Sequence, residues 1–169
     1  GIYESFDGGE LWKKIQGIPS QSRRTKDIVR NPAKNGGVYA ATTEGFWMSA
    51  DNGKTWALTS QRELEVNSIA VHPEEPNKIY IATNNYGLMI STDGGRNFKV
   101  ENGNFTSRFM QKIVPDVERP NRFYATTNNT ATGGGFIFIS DDGGQTWNPS
   151  TKNLSVIRVK AFSILQDKT

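Results

Sequence analysis

Cysteine is absent from the 169 residues, and histidine occurs once, at His72. The first absence removes disulfide frameworks, thiolate zinc sites and cysteine nucleophiles. The second leaves no support for a Ser-His-Asp triad or a histidine metal site. Leucine is scarce at six residues, while glycine reaches 17 and aromatics 11%. That balance favours short strands and tight turns over helices. No apolar run approaches the roughly 18 residues of a membrane span, and no charged-then-apolar leader is visible. Charge is not concentrated either: 20 Lys and Arg against 17 Asp and Glu leave +3. Apart from Arg23, Arg24 and Lys26 the basic residues are spread out, unlike the stripe of a nucleic-acid binder. Lack of cysteine leaves the compartment open, and a first residue Gly1 in place of methionine reads as processing, tagging or excision from something longer.

What the chain has in quantity is itself. "SFDGGELW" from Ser5, "SADNGKTW" from Ser49, "STDGGRNF" from Ser91 and "SDDGGQTW" from Ser140 recur at intervals of 44, 42 and 49 residues. An apolar run precedes each box: "GIYES", "GFWMS", "GLMIS" and "GFIFIS". Upstream come "GVYAATT", "KIYIATN" and "RFYATTN", and before those "DIVRNP", "SIAVHP" and "KIVPDV", with a last copy, "AFSILQ", near the end. Each unit therefore has four short strands, here A to D, joined by polar turns. A period near 45 with no helical periodicity predicts antiparallel four-stranded propeller blades.

The box has its own chemistry. An Asp two residues after a Ser bonds backbone N–H groups of its turn, the next Gly takes the positive φ that reverses the chain, and the aromatic three residues on packs back on the sheet. This assigns a structural role to Ser5, Asp7, Gly9 and Trp12; to Ser49, Asp51, Gly53 and Trp56; to Ser91, Asp93, Gly95 and Phe98; and to Ser140, Asp142, Gly144 and Trp147. Leu11 in the first box, and Asn97 with Phe98 in the third, depart from the pattern and are expected to leave the turn intact. "SADNGK" and "SDDGGQ" lack the alternating acids and distal glutamate of a calcium loop, so no metal and no cofactor is expected.

S-x-D-x-G-x-T-W resembles the Asp-box, or BNR, repeat of sialidases, xyloglucanase-type glycoside hydrolases, sortilin-type receptor domains and the photosystem II assembly-factor family. The resemblance spans the chain in repeat form and implies an all-β propeller. It implies no single function, because one scaffold serves unrelated ones. The expected order is strands C and D of a partial blade in 1–20, blades in 21–62, 63–104 and 105–153, and strand A of a further blade in 154–169. Three complete blades and two partial ones leave open sheet edges, so the chain is expected to be a fragment of a larger propeller or one half of a homodimeric ring, with a degenerate four-bladed monomer as the plainer alternative.

In an up-and-down sheet the boxes lie on one side, with the D–A links and B–C turns on the other. The resemblance implies that the ligand face is the one away from the boxes and that strand A is innermost. On that face Arg24 and Arg158 precede Ile28 and Phe162 by four residues, and Arg108 precedes Ile113 by five. Three arginines near a central opening suit carboxylates or phosphates; the plainer reading is that they keep the loops soluble. Glu65 breaks the set. The B–C turns add Asn84, Asn85 and Tyr86, and a longer link from Asn128 and Asn129 to Gly135. Of the acids on this face, Asp27, Glu44, Glu63 and Glu65 show no recognisable pairing, with Asp27 and Glu44 the candidates for hydrolytic chemistry. His72 aligns with Asn31 and Asp116 as a turn residue, and sequons stand at Asn104, Asn128 and Asn153. The expectation is a non-catalytic scaffold for a protein, peptide or glycan, without nucleic acid or membrane insertion; the alternative is a glycoside hydrolase fragment. The resemblance implies an extracytoplasmic setting.

Overall fold

A computed structural model describes residues 1–19, 24–105, 107–129 and 134–150. Among these there is no helix. A two-stranded sheet, β1 (Tyr3–Glu4) and β2 (Lys13–Lys14), is followed by three four-stranded antiparallel sheets. The first comprises β3 (Thr25–Arg30), β4 (Val38–Thr42), β5 (Gly45–Ser49) and β6 (Ala57–Leu58). The second comprises β7 (Val66–Val71), β8 (Ile79–Thr83), β9 (Gly87–Ser91) and β10 (Lys99–Val100). The third comprises β11 (Met110–Pro115), β12 (Phe123–Asn129), β13 (Gly134–Ser140) and β14 (Asn148–Pro149). Strand order follows chain order in each sheet, as in propeller blades, and the inner strands β3, β7 and β11 lie side by side. The segment 154–169 lies outside the described residues.

The middle strands are apolar on both faces because a blade is covered on both sides. Tyr39, Ala41 and Phe46 of the first blade pack against Leu64, Val66, Ile69, Ile79 and Ile81 of the second. Tyr80, Ala82 and Leu88 of the second pack against Ile113, Phe123, Ala125 and Trp147 of the third. Register explains the split: Tyr80 opposes Ile90 and Ala82 opposes Leu88, so these side chains share the face that meets the next blade.

Each box closes a C–D turn with the same bonds. Ser5, Ser49, Ser91 and Ser140 donate to Oδ1 of Asp7, Asp51, Asp93 and Asp142 at 2.6–2.8 Å. The same serine oxygens accept N–H of Gly9, Gly53, Gly95 and Gly144 at 2.8–2.9 Å. The carboxylate then caps the far side of the turn, accepting N–H of Leu11, Thr55, Asn97 and Thr146. Thr55 and Thr146 hydroxyls also bond Oδ2, and in the third box the Asn97 amide does so at 2.7 Å. Leu11 offers only its backbone. The indoles of Trp12, Trp56 and Trp147 donate to the box glycine carbonyl, a bond Phe98 lacks. These bonds favour the ionised carboxylate. The Thr55 hydroxyl and amide, with Ser49, hold Asp51 down to about 2.

At the A–B turns Asn31, His72 and Asp116 play one part. Asn31 Oδ1 accepts N–H of Ala33, His72 Nδ1 accepts N–H of Glu74 and Glu75, and Asp116 Oδ1 accepts N–H of Glu118 and Arg119.

Phe46 is fully buried, edge-on to Phe98 at 4.9 Å and stacked with Tyr39 at 5.4 Å. Phe46→Ala is expected to cost ~3–5 kcal/mol by leaving a cavity at the blade interface, measured by denaturant unfolding. Asp51 contributes stability fully above the ordinary carboxylate range near 4, and loses it as pH falls toward about 2. The difference in melting temperature between the protein and Asp51→Asn is therefore expected to shrink over that window.

Candidate functional site

The turns sort onto two sides. Asn52, Gly94 and Gly143 of the boxes donate backbone N–H to Gly36, Asn77 and Asn121 of the A–B turns, which makes one face. On the other, Thr43, Asn84 and Asn128 donate N–H to the carbonyls of Arg24, Glu65 and Phe109 at 3.1, 3.0 and 2.8 Å. This second face, built from B–C turns and D–A links, is the candidate binding face.

Those three bonds correct the arginine set. The position equivalent to Arg24 is Glu65 in the second blade and Phe109 in the third, so Arg108 is one residue out of register. Its carbonyl instead accepts N–H of Gly87 from the preceding blade at 2.9 Å, as the Leu64 carbonyl accepts N–H of Gly45. Successive residues of an extended segment face opposite ways, so Arg24 and Arg108 do not form a symmetric pair. Both are exposed; Arg158 lies outside the described residues.

Each inner strand carries a bulge at the same place, with register shifts between Thr25 and Asp27, Val66 and Ser68, and Met110 and Lys112. The extra residues are Lys26, Asn67 and Gln111. Lys26 bonds the Glu65 carboxylate and donates to Asn67 Oδ1 at 2.6 Å. Asn67 donates to Asn84 Oδ1 at 2.9 Å and to the Met110 carbonyl at 2.7 Å, and Asn84 donates to Glu65 Oε2 at 2.5 Å. Asn84 is thus held within the fold and does not present its amide to a ligand. The Lys26 ammonium is the main cause that keeps Glu65 below the usual carboxylate range; burial opposes it and the Asn84 bond adds to it.

Asp27 belongs to the same layer. Its Oδ2 accepts from Ser68 Oγ at 2.8 Å, Ile69 N–H at 3.1 Å and Lys112 Nζ at 2.9 Å, while Oδ1 takes its neighbour Ile28 N–H. One carboxylate so ties together the inner strands of three blades, and that corrects its reading as a catalytic candidate: its lone pairs are occupied by structural donors. Glu44 is differently placed. It pairs with Arg62 at 3.6 Å, and the two line an open cavity of about 730 Å³ with Glu63 and Pro19.

The B–C turn of the second blade and the D–A link of the third meet at a seam. Asn85 there adopts a left-handed conformation, φ 73°. Tyr86, on the turn, and Phe109, on the link, are 46% and 39% exposed, and Arg108 is exposed as well. The signal that points to Phe109 is its register, since it and not Arg108 stands at the position of Arg24 and Glu65. The long link at Asn128 and Asn129 also needs correction. Both residues are in β12, paired with Gly135 and Gly134, so the extra length extends a hairpin. The sequon residue Asn104 is occupied as well, its amide bonding N–H and C=O of Trp147. Among the described residues no group of three or more His, Asp or Glu is placed to hold a metal ion.

Comparison with known proteins agrees with this architecture. The BNR/Asp-box repeat family model matches residues 138–149. A xyloglucanase from a Paenibacillus species is 31% identical over 157 residues, which cover 87% of this chain but 15% of that protein. The chain therefore spans about one seventh of that relative and is homologous to a stretch of it. Among solved structures, an ancestral GH74 enzyme superposes with a TM-score of 0.70 at 21% identity, covering 87% of this chain and 21% of that one. YCF48 bound to D1 peptide gives 0.57 at 15% identity, covering 79% and 42%. The repeated box, the blades it closes and these likenesses together make the chain an Asp-box (BNR) repeat β-propeller, similar to xyloglucanase and YCF48 propellers.

Proposed function

We propose that this chain is a binding segment of a larger, exported propeller protein and that it holds a glycan at the seam between the second and third blades. The observation that carries the reading is the exposure of Tyr86, on the B–C turn of the second blade, and of Phe109, on the D–A link of the third, two elements joined by the backbone bond from Gly87 to Arg108. Aromatic rings cover the apolar faces of sugar rings, while guanidinium and amide groups bond the hydroxyls. Similarity to a xyloglucanase favours a glycan over other ligands; similarity to YCF48 bound to a peptide makes an extended peptide the competitor. The described carboxylates favour a scaffold, since Asp27 and Glu65 are both engaged by neighbouring blades. Further blades, from a longer polypeptide or a second copy, would complete the ring.

A second reading rests on Glu44. With Glu63 and Arg62 at an open cavity, it supplies the carboxyl groups that glycoside hydrolysis requires, in a hydrolase whose remaining site lies in other blades.

Calorimetric titration with xyloglucan oligosaccharides separates these readings. Tyr86→Ala and Phe109→Ala are each expected to weaken binding ~10-fold or more, as for buried aromatic anchors; unchanged affinity in both rejects the seam. Under the second reading Glu44→Gln lowers xyloglucan hydrolysis by the parent polypeptide ~100-fold or more. Unchanged turnover, or a parent that does not hydrolyse xyloglucan, removes that reading.

A further inference from the structure

We infer that Lys26, on the inner strand of the first blade, is a positioning residue for the binding seam between the second and third blades. The inference rests on the seam reading in one respect only, the role given to Tyr86. The β3 bulge sets Lys26 out of the regular alternation of that strand. Its ammonium then reaches the second blade, where four side chains close a ring: Lys26 to Glu65, Glu65 to Asn84, Asn84 to Asn67, and Asn67 back to Lys26.

Asn84 is the first residue of the B–C turn that carries Asn85 and Tyr86. It is gripped three times, by Glu65 Oε2, by the Asn67 amide and, through its own N–H, by the Glu65 carbonyl. Beyond Tyr86, the Gly87 N–H is anchored on Arg108, and the Tyr86 carbonyl accepts the Asn102 amide at 2.9 Å. The turn is therefore fixed at both ends, and only the Asn84 end depends on a charge.

Lys26 is the cation of the ring. Without it Glu65 loses its closest counter-charge, and Asn67, 7% exposed, has an acceptor without a donor. A half-satisfied polar network is less stable than a complete one, so Glu65 and Asn67 loosen and their grip on Asn84 weakens with them. The charged groups acting on Glu65 are Lys26 and, at longer range, Arg24. Because the Glu65 pKa is lowered, the ring is complete above the ordinary glutamate value of about 4.3 and opens as pH falls through the lowered one.

The test compares the 169-residue chain with Lys26→Met and Lys26→Arg. Hydrogen exchange without ligand is expected to quicken on the order of 10-fold at residues 84–87 in Lys26→Met. Amides of β4 and β5 keep their rates, and Lys26→Arg restores protection. With xyloglucan oligosaccharides Lys26→Met binds ~10-fold more weakly, and the acid limb of its binding profile moves to higher pH. Unchanged exchange at 84–87 overturns the inference; so does a uniform increase across both blades, which shows a general loss of packing. If the unaltered chain binds no oligosaccharide, the glycan reading fails by itself, and the exchange comparison still decides the role of Lys26.

Discussion

The array depends on one close contact: a box glycine of each later blade lies against an aromatic ring of the blade before it. A Cβ on Gly95 would stand 2.8 Å from the Phe46 ring, and one on Gly144 3.3 Å from the Tyr80 ring. Both glycines also have φ of 90°, which other residues rarely adopt. The residue type that reverses the chain at the C–D turn is thus also the one that lets the next blade approach. Tyr80 completes the joint by donating its hydroxyl to the Gly143 carbonyl at 3.0 Å, and burial pushes its pKa up. Thr59 does similar work at the first joint, donating to the Gly95 carbonyl at 2.5 Å. The Ser-Asp knot of the box holds the glycine in place for this role at Gly95 and Gly144, whereas a Cβ on Gly9 or Gly53 would meet only the tryptophan of its own box.

The box face is therefore committed to assembly, and the opposite face is left for other work. There the polar layer of Asp27, Lys112, Lys26, Glu65, Asn67 and Asn84 replaces glycine and aromatic packing as the link between blades. Such a layer is directional. Each group needs its partner in place, so it specifies where the B–C turns sit more narrowly than apolar contact does. Under the proposed reading, Tyr86 on a turn held in this way needs little further ordering to bind, which lowers the cost of binding.

Strand positions, box chemistry and the two faces were legible because they rest on local rules: alternation, positive φ at glycine, and parity of an antiparallel sheet. His72 was legible as a turn residue because Asn31 and Asp116 occupy its place in the repeats. The polar layer was not legible. It depends on bulges at Lys26, Asn67 and Gln111, and a bulge changes which side a residue faces without changing the apolar pattern that reveals the strand. For the same reason Asp27 looked like a loop-face acid, although its carboxylate is shared by three blades. The arginine set failed for a different reason. Counting from Ile28 and Ile113 tolerated a one-residue difference, and in an extended segment one residue is a change of side. Asn128 and Asn129 were read as loop because an insertion in a repeat usually enlarges a turn, whereas here it lengthens a hairpin on both sides.

The most direct measurement is amide chemical-shift mapping of the isotope-labelled chain during titration with a xyloglucan oligosaccharide. The account predicts shifts concentrated at Asn85–Gly87 and Arg108–Phe109, with the box amides of Gly95 and Gly144 unmoved. Shifts centred on the boxes, or on Glu44 and Glu63 without the seam, would contradict it.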